Sequence, residues 1–396
     1  MSLRRPALAL LAALLVRQAA CAVTTPTAPD DGTAAIGDVA SDVPGAESSD
    51  PGSDPAATDA AEAGEATSTG FPAGWIYTQG SRILVSDGTS GTPWMGRGVN
   101  LDDVFLCGYN NTLWMDRPDT ALLTIAAGLM SDWKPSFVRV SLGMASYPVT
   151  AAWTPGTSTY ATMMTGVIDT LGSYPGVYVL VTLRSDLSMI GQDQADGDPE
   201  ATGLPSSAAT TPDSAKFPTG TDATYVALVD TFAHSPFVLF GLSNEPGGNQ
   251  LPDATIAAAM QHAVDVIRAE EDLLGVPHHV VTVQGNTWTS KLARYVASPI
   301  AGDNVAYEVH GYPPTPAMYD LAGLPVILGE YGSLDEASAP AFYADVEARG
   351  IPNLAWDFEP LSDCSPDLLS VTTGPSVLTP TASGTIVQAY LLSHAP

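Results

Sequence analysis

The sequence predicts an α/β chain folded as a (β/α)8 barrel, and three observations carry that expectation. Eight short apolar runs alternate with segments of helical periodicity across residues 71–396. Polar and charged residues collect at the C-terminal ends of those runs, the face where such barrels keep their chemistry. The other common solution, an open doubly wound sheet, normally brings a glycine-rich phosphate loop after its first strand. The sequence has none there.

Each element follows from local pattern. Trp94-Met-Gly-Arg-Gly-Val-Asn-Leu101 reads as the first barrel strand, and Thr120 to Trp133 as a helix ended by Pro135. Phe137 to Leu142 is the second strand, Tyr160 to Leu171 a helix, and Val177 to Arg184 the third strand. After a helix from Asp222 to Ala233, the fourth strand runs Phe237-Val-Leu-Phe-Gly-Leu242. Such nearly unbroken apolar sequence marks a parallel strand covered on both faces. It stops at Asn244-Glu245 and at Pro246, which cannot continue a ladder. Ala254 to Leu274 is a long amphipathic helix stopped by Gly275 and Pro277. His279 to Gln284 and Val305 to His310 are the fifth and sixth strands, and Pro325-Val-Ile-Leu-Gly-Glu-Tyr-Gly332 holds the seventh. A helix from Ala337 to Arg349, the eighth strand from Ile351 to Trp356, and a helix from Gly384 to Ser393 close the chain.

Three segments organise the chain. Residues 1–22 read as an export signal, with Arg4 and Arg5 before an apolar run from Ala7 to Val16 that is too short to span a bilayer. Ala20-Cys21-Ala22 suits cleavage after Ala22. Ala19-Ala20-Cys21 equally resembles a lipobox with Cys21 lipidated, although Gln18 stands where leucine is usual. Residues 23–70 lack lysine, arginine and aromatic residues and are rich in Ala, Asp, Glu, Ser, Thr, Pro and Gly. They cannot bury enough apolar surface to offset their ordering entropy, so a disordered tether is expected. Residues 71–396 form the barrel domain. The expected location is outside the cell, secreted or lipid-anchored at a bacterial surface. A net charge of −29 excludes a nucleic-acid partner, because phosphate binding needs a cationic surface.

If the barrel closes, one face gathers Asn100, Arg139, Arg184, Asn244, Glu245, Gln284, Asn286, His310, Tyr312, Glu330 and Trp356. Two carboxylates facing one cleft can cleave a glycosidic bond, one protonating the leaving oxygen and the other attacking the anomeric carbon or activating water. Glu245, beside neutral Asn244, suits the acid. Glu330 suits the nucleophile if Arg139 and Tyr312 supply a cation and a hydroxyl donor. Asn-Glu-Pro at the fourth strand, His310-Gly-Tyr312 at the sixth, Gly329-Glu-Tyr-Gly332 at the seventh and Trp356 at the eighth resemble glycoside hydrolase family five, the cellulase and mannanase family. The resemblance implies a retaining mechanism with Glu245 as acid/base and Glu330 as nucleophile. It places Asn244 on the sugar 2-hydroxyl, Arg139 and Tyr312 on Glu330, His310 in the acid/base network, and Trp356 under the sugar.

One position departs from the family pattern: Arg184 stands at the third tip, where histidine is usual. It either pairs with Asp186 or reaches substrate, and a permanent cation is not a substitute for imidazole. The long polar loop from Ser185 to Pro218 is expected to wall the cleft. Its Asp193, Asp196, Asp198 and Glu200 match a calcium loop poorly, so neither metal nor cofactor is expected. Trp94, Trp114, Trp153 and Trp288 are core or sugar-platform candidates, Trp288 the best placed because it follows the fifth tip. Glu308 and Asp357 read as partners for tip arginines. Cys107 and Cys364 follow the first and eighth strands, neighbours in a closed barrel, and a disulfide is expected over two free thiols. The expected activity is hydrolysis of a β-1,4-linked polysaccharide or oligosaccharide, a β-glucan first, by a monomer. The alternatives are a β-mannan, other β-glycosides or glycolipids, or a catalytically inactive barrel that only binds carbohydrate.

Overall fold

The computed structural model describes residues 70–102, 118–142, 159–183, 220–246, 252–359, 366–370, 374 and 376–395. The expectations for residues 1–69, Cys107, Cys364, Trp114, Trp153, Arg184 and the Ser185–Pro218 loop lie outside the described residues.

Three short antiparallel strands come first: β1 (Ile76–Gln79), β2 (Arg82–Ser86) and β3 (Gly91–Pro93). The barrel strands are β4 (Arg97–Asp102), β5 (Phe137–Leu142), β6 (Tyr178–Leu183), β7 (Val238–Gly241), β8 (Val281–Val283), β9 (Val305–Gly311), β10 (Val326–Tyr331) and β11 (Asn353–Ala355). They pair in parallel in chain order, and β11 closes on β4. Helices α1 (Pro118–Asp132), α2 (Thr159–Gly172), α3 (Gly220–Phe232) and α4 (Asp253–Leu274) follow the first strands of the barrel. Then come α5 (Ala293–Ala297), α6 (Pro316–Tyr319), α7 (Ala339–Arg349) and α8 (Ala382–Ser393). The eight strands anticipated from the apolar runs are β4 to β11. Among the described residues, no helix is long and apolar enough to cross a membrane.

Side-chain alternation along each strand divides the core in two. Val138 and Val140, Val179 and Val181, Val281 and Val283, and Val305 and Val309 pack with the helices in one cluster. The intervening positions Phe137, Leu180, Leu239, Val280, Ala306, Ile327 and Leu354 form a second cluster with Ile76, Ile83 and Trp94. This is the period of two expected of strands whose inner face lines a barrel. The small β1–β3 sheet therefore closes the barrel at the N-terminal ends of its strands.

Trp94 belongs to that closure and not to the first barrel strand. Its backbone N–H is committed to Ile83 O at 2.9 Å, and its ring meets Phe137 and Tyr178 edge-on at 4.8 and 5.5 Å. The β8 strand is likewise shorter than its apolar run. The His279 N–H donates to Glu271 Oε1 (2.8 Å) and not to a neighbouring strand.

Candidate active site

Above the apolar floor the inner face turns polar, and one guanidinium organises it. Arg139, on β5, is fully buried. Its Nη1 donates to Glu330 Oε1 (2.8 Å) and Asn100 Oδ1 (2.9 Å), and its Nη2 to Asn244 Oδ1 (2.5 Å). Its Nε lies 3.0 Å from Glu308 Oε1 and 3.2 Å from Thr182 Oγ1. These partners come from β4, β6, β9, β10 and the end of β7, which only a side chain inside the barrel can reach together. A planar five-donor fork suits such a hub. Gly241 makes room for one of its partners: a Cβ there would lie 2.1 Å from Thr182 Oγ1.

The two glutamates have unequal neighbours. Glu330, near the end of β10, takes Arg139 on Oε1 and the Tyr312 hydroxyl on Oε2 at 2.6 Å. Glu245 follows β7 in a left-handed backbone conformation, φ 44°, with its N–H donated to Gln284 Oε1 at 2.6 Å. Its carboxylate meets His310 Nδ1 at 2.8 Å, and the same nitrogen lies 3.4 Å from Glu330 Oε2. Glu245 is the more open side chain, 13% exposed against 5% for Glu330. Burial disfavours a charged His310 ring, but the field of Glu330 and the hydrogen bonds to Glu245 and Glu308 override it and hold the imidazole up at about 9.

One oxygen of each glutamate and a ring nitrogen of His310 lie within 4.8 Å of one another. Such donor atoms could suit a cation, yet Arg139 and His310 already compensate both carboxylates from within.

The remaining candidates divide. Asn100 is buried and donates to the Gly329 and Ala355 carbonyls, so it supports Arg139 from below the cleft. Trp356 follows β11 and is buried, with a cis peptide to Asp357. Tyr312 is 41% exposed and Trp288 36%. Trp288 sits in a run of three left-handed residues, Thr287 to Thr289, that turns the chain after β8. Asn286 is drawn away to Asp253 at the start of α4, and Trp94 lies at the opposite end of the barrel. Glu308 pairs with Arg139 as anticipated. Its second contact, with His310, was not anticipated, nor were the hydroxyls of Thr182 and Thr282. The available signal was a carboxylate on the inward register of an apolar strand, which demands buried partners.

Comparison with known proteins agrees with this architecture. A β-glucanase from Saccharophagus degradans superposes with a TM-score of 0.59 at 17% identity, covering 81% of this chain and 94% of that one. The catalytic domain of Thermobifida fusca endoglucanase Cel5A gives 0.55 at 18%, covering 81% and 97%. A β-mannanase from Streptomyces thermolilacinus gives 0.56 at 19%, covering 81% and 98%. No sequence among curated proteins matches the chain. The profile described as cellulase (glycosyl hydrolase family 5) matches residues 98–362, from β4 to just beyond β11. With that span matched over two glutamates at the tips of β7 and β10, the chain belongs to glycosyl hydrolase family 5 and is a β-glycoside hydrolase.

Proposed function

We propose that this enzyme is a retaining glycosidase of β-1,4-linked polysaccharide, a β-glucan first, with Glu330 as nucleophile and Glu245 as acid/base. The observation that carries the assignment is that Arg139 and Tyr312 both converge on Glu330. A permanent cation and a hydroxyl donor stabilise a carboxylate in its charged form, which a nucleophile needs. Glu245 shares its carboxylate with an imidazole, a group suited to proton exchange. The close approach of the two carboxylates fits double displacement, for which about 5 Å is usual, better than the wider gap of about 6.5–9.5 Å that admits a water for inversion.

Glu330 attacks the anomeric carbon while Glu245 gives its proton to the departing glycosidic oxygen. Glu245 then takes a proton from water, whose oxygen attacks the same carbon and releases Glu330. Because Arg139 occupies Asn244 Oδ1, the amide nitrogen is the end left to donate to a sugar hydroxyl. Trp288 and Trp356 would supply apolar surface to sugar rings. The choice of a glucan rests on the cellulase profile.

The test is turnover on carboxymethylcellulose, galactomannan, xyloglucan and aryl β-glycosides beside Glu245→Ala and Glu330→Ala. Each variant should lose about 10²–10⁴-fold in kcat on the best polysaccharide. Undiminished turnover would sink the assignment, and initial release of the inverted anomer by NMR would exclude double displacement. We further propose export through residues 1–22 with residues 23–70 as a tether, either free or held by a lipid on Cys21. Mass spectrometry of the mature N-terminus distinguishes the two.

A further inference from the structure

A third carboxylate lies directly beneath the pair. Glu308, mid-strand on β9, is fully buried, and every polar atom it meets belongs to the catalytic layer. Its Oε1 sits between Arg139 Nε at 3.0 Å and His310 Nε2 at 3.1 Å, while Oε2 accepts the Thr282 hydroxyl at 2.6 Å. Through Arg139 it reaches Glu330, and through His310 it reaches Glu245. The neighbouring strand is shaped around it. Gly329, immediately before Glu330, is a position where a Cβ would lie 2.3 Å from Glu308 Oε1.

We propose that Glu308 is a positioning residue that fixes the proton on His310 Nε2 and thereby sets the alkaline limit of activity. This rests on Glu245 being the acid/base. Because Glu308 is ionised, it only accepts hydrogen bonds, so the ring nitrogen facing it must carry a hydrogen. That leaves Nδ1 as the atom that exchanges a proton with Glu245. Arg139, Thr282 and His310 together hold Glu308 charged: burial pushes its carboxyl up, but those three bring it down to about 2.

The charged groups facing His310 are Glu308 on its own strand, Glu245 after β7 and Glu330 on β10, with Arg139 of β5 behind the last and the first. Three carboxylates raise the proton affinity of the Glu245–His310 pair. Removing one lowers it, so the pair loses its essential proton at lower pH.

The test is Glu308→Gln, which keeps shape and removes charge. The alkaline limb of kcat/KM should move to lower pH by about one pH unit. A fall in kcat without movement of that limb would reduce Glu308 to a packing role and overturn the proposal. A second measurement needs neither the variant nor substrate: ring ¹⁵N NMR of His310 in the unmodified enzyme, assigned by its loss in His310→Asn. Nε2 should keep its hydrogen through the pH at which the ring becomes neutral, so that Nδ1 is the nitrogen that loses its proton. A ring that is protonated on Nδ1 alone when neutral would overturn the proposal even if Glu308→Gln failed to fold. If Glu245→Ala and Glu330→Ala kept full turnover, the functional assignment would fail while the His310 measurement still decided the tautomer.

Discussion

At the scale of single residues, the site works through hydrogen-bond donors aimed at one carboxylate more than the other. Tyr312→Phe removes the hydroxyl donor to Glu330 Oε2. A hydrogen bond to a charged group is worth about 1.5–3 kcal/mol, so kcat should fall by roughly 10–100-fold. Steady-state kinetics on the best β-glycoside substrate measures this, and an unchanged kcat would mean that the hydroxyl does not help stabilise the Glu330 carboxylate in the reaction. Arg139→Lys is more severe although the charge is kept. Three donors at one point cannot reproduce contacts to Asn100, Asn244, Thr182, Glu308 and Glu330. The expectation is a lower melting temperature together with lost activity, by calorimetry and kinetics on the same sample. Loss of activity at unchanged stability would show that the hub is not structural.

At the scale of elements, the barrel divides into a catalytic end and a closed end that should fail independently. Trp94→Ala opens the apolar closure against Phe137 and Tyr178, and a buried Trp→Ala change costs about 3–5 kcal/mol. Stability should drop by that amount in denaturant titration, while kcat at low temperature stays close to the unmodified enzyme. The closed end also carries a pH dependence. His278 bridges Asp303 and Asp272 at 2.7 and 3.1 Å. Burial disfavours its charged ring, but those hydrogen bonds hold it above its ordinary value, and they hold Asp303 below its own despite burial. A raised histidine contributes fully below its unfolded value of about 6.5 and loses that contribution as pH rises through the folded value. The Asp303 part is lost only as pH falls through its depressed value. The melting-temperature difference between the enzyme and His278→Gln should therefore be largest in mild acid and shrink in alkali. A difference independent of pH would refute the ion pairs.

These elements also show what the sequence made legible. Long apolar runs ending in polar residues located all eight barrel strands, because burial on both faces leaves a strong signal. The β1–β3 closure was not legible. Its strands have four, five and three residues, and Trp94 looked like the start of a longer strand. At the site, Glu245, Glu330, His310 and Tyr312 were legible because they stand at or just beyond strand ends, where a polar residue breaks the pattern. Arg139 was legible because it is a lone charge in an apolar run, although it lies mid-strand on β5 and not at its tip. The contact between Glu308 and His310 was less so. It depends on which atom of His310 faces which carboxylate, and that is set by packing across four strands.

At the scale of the whole molecule, the net charge is expected to separate charged from uncharged polymers. The chain carries a net charge of −29, with 14 basic residues against 43 acidic ones. Such an excess repels a polyanion at distances beyond any single contact and leaves a neutral polymer unaffected. The repulsion is screened by salt, since the Debye length falls from roughly 30 Å at about 0.01 M to roughly 10 Å at about 0.1 M. For a glucan-cleaving enzyme, KM on carboxymethylcellulose should fall several-fold across that range, while KM on an uncharged mixed or soluble β-glucan stays constant. Counter-ion effects on the protein alone would move both values together. Equal salt responses for the charged and uncharged polymers would therefore show that substrate is captured by local contacts in the cleft, with the field of the whole protein contributing nothing to the encounter.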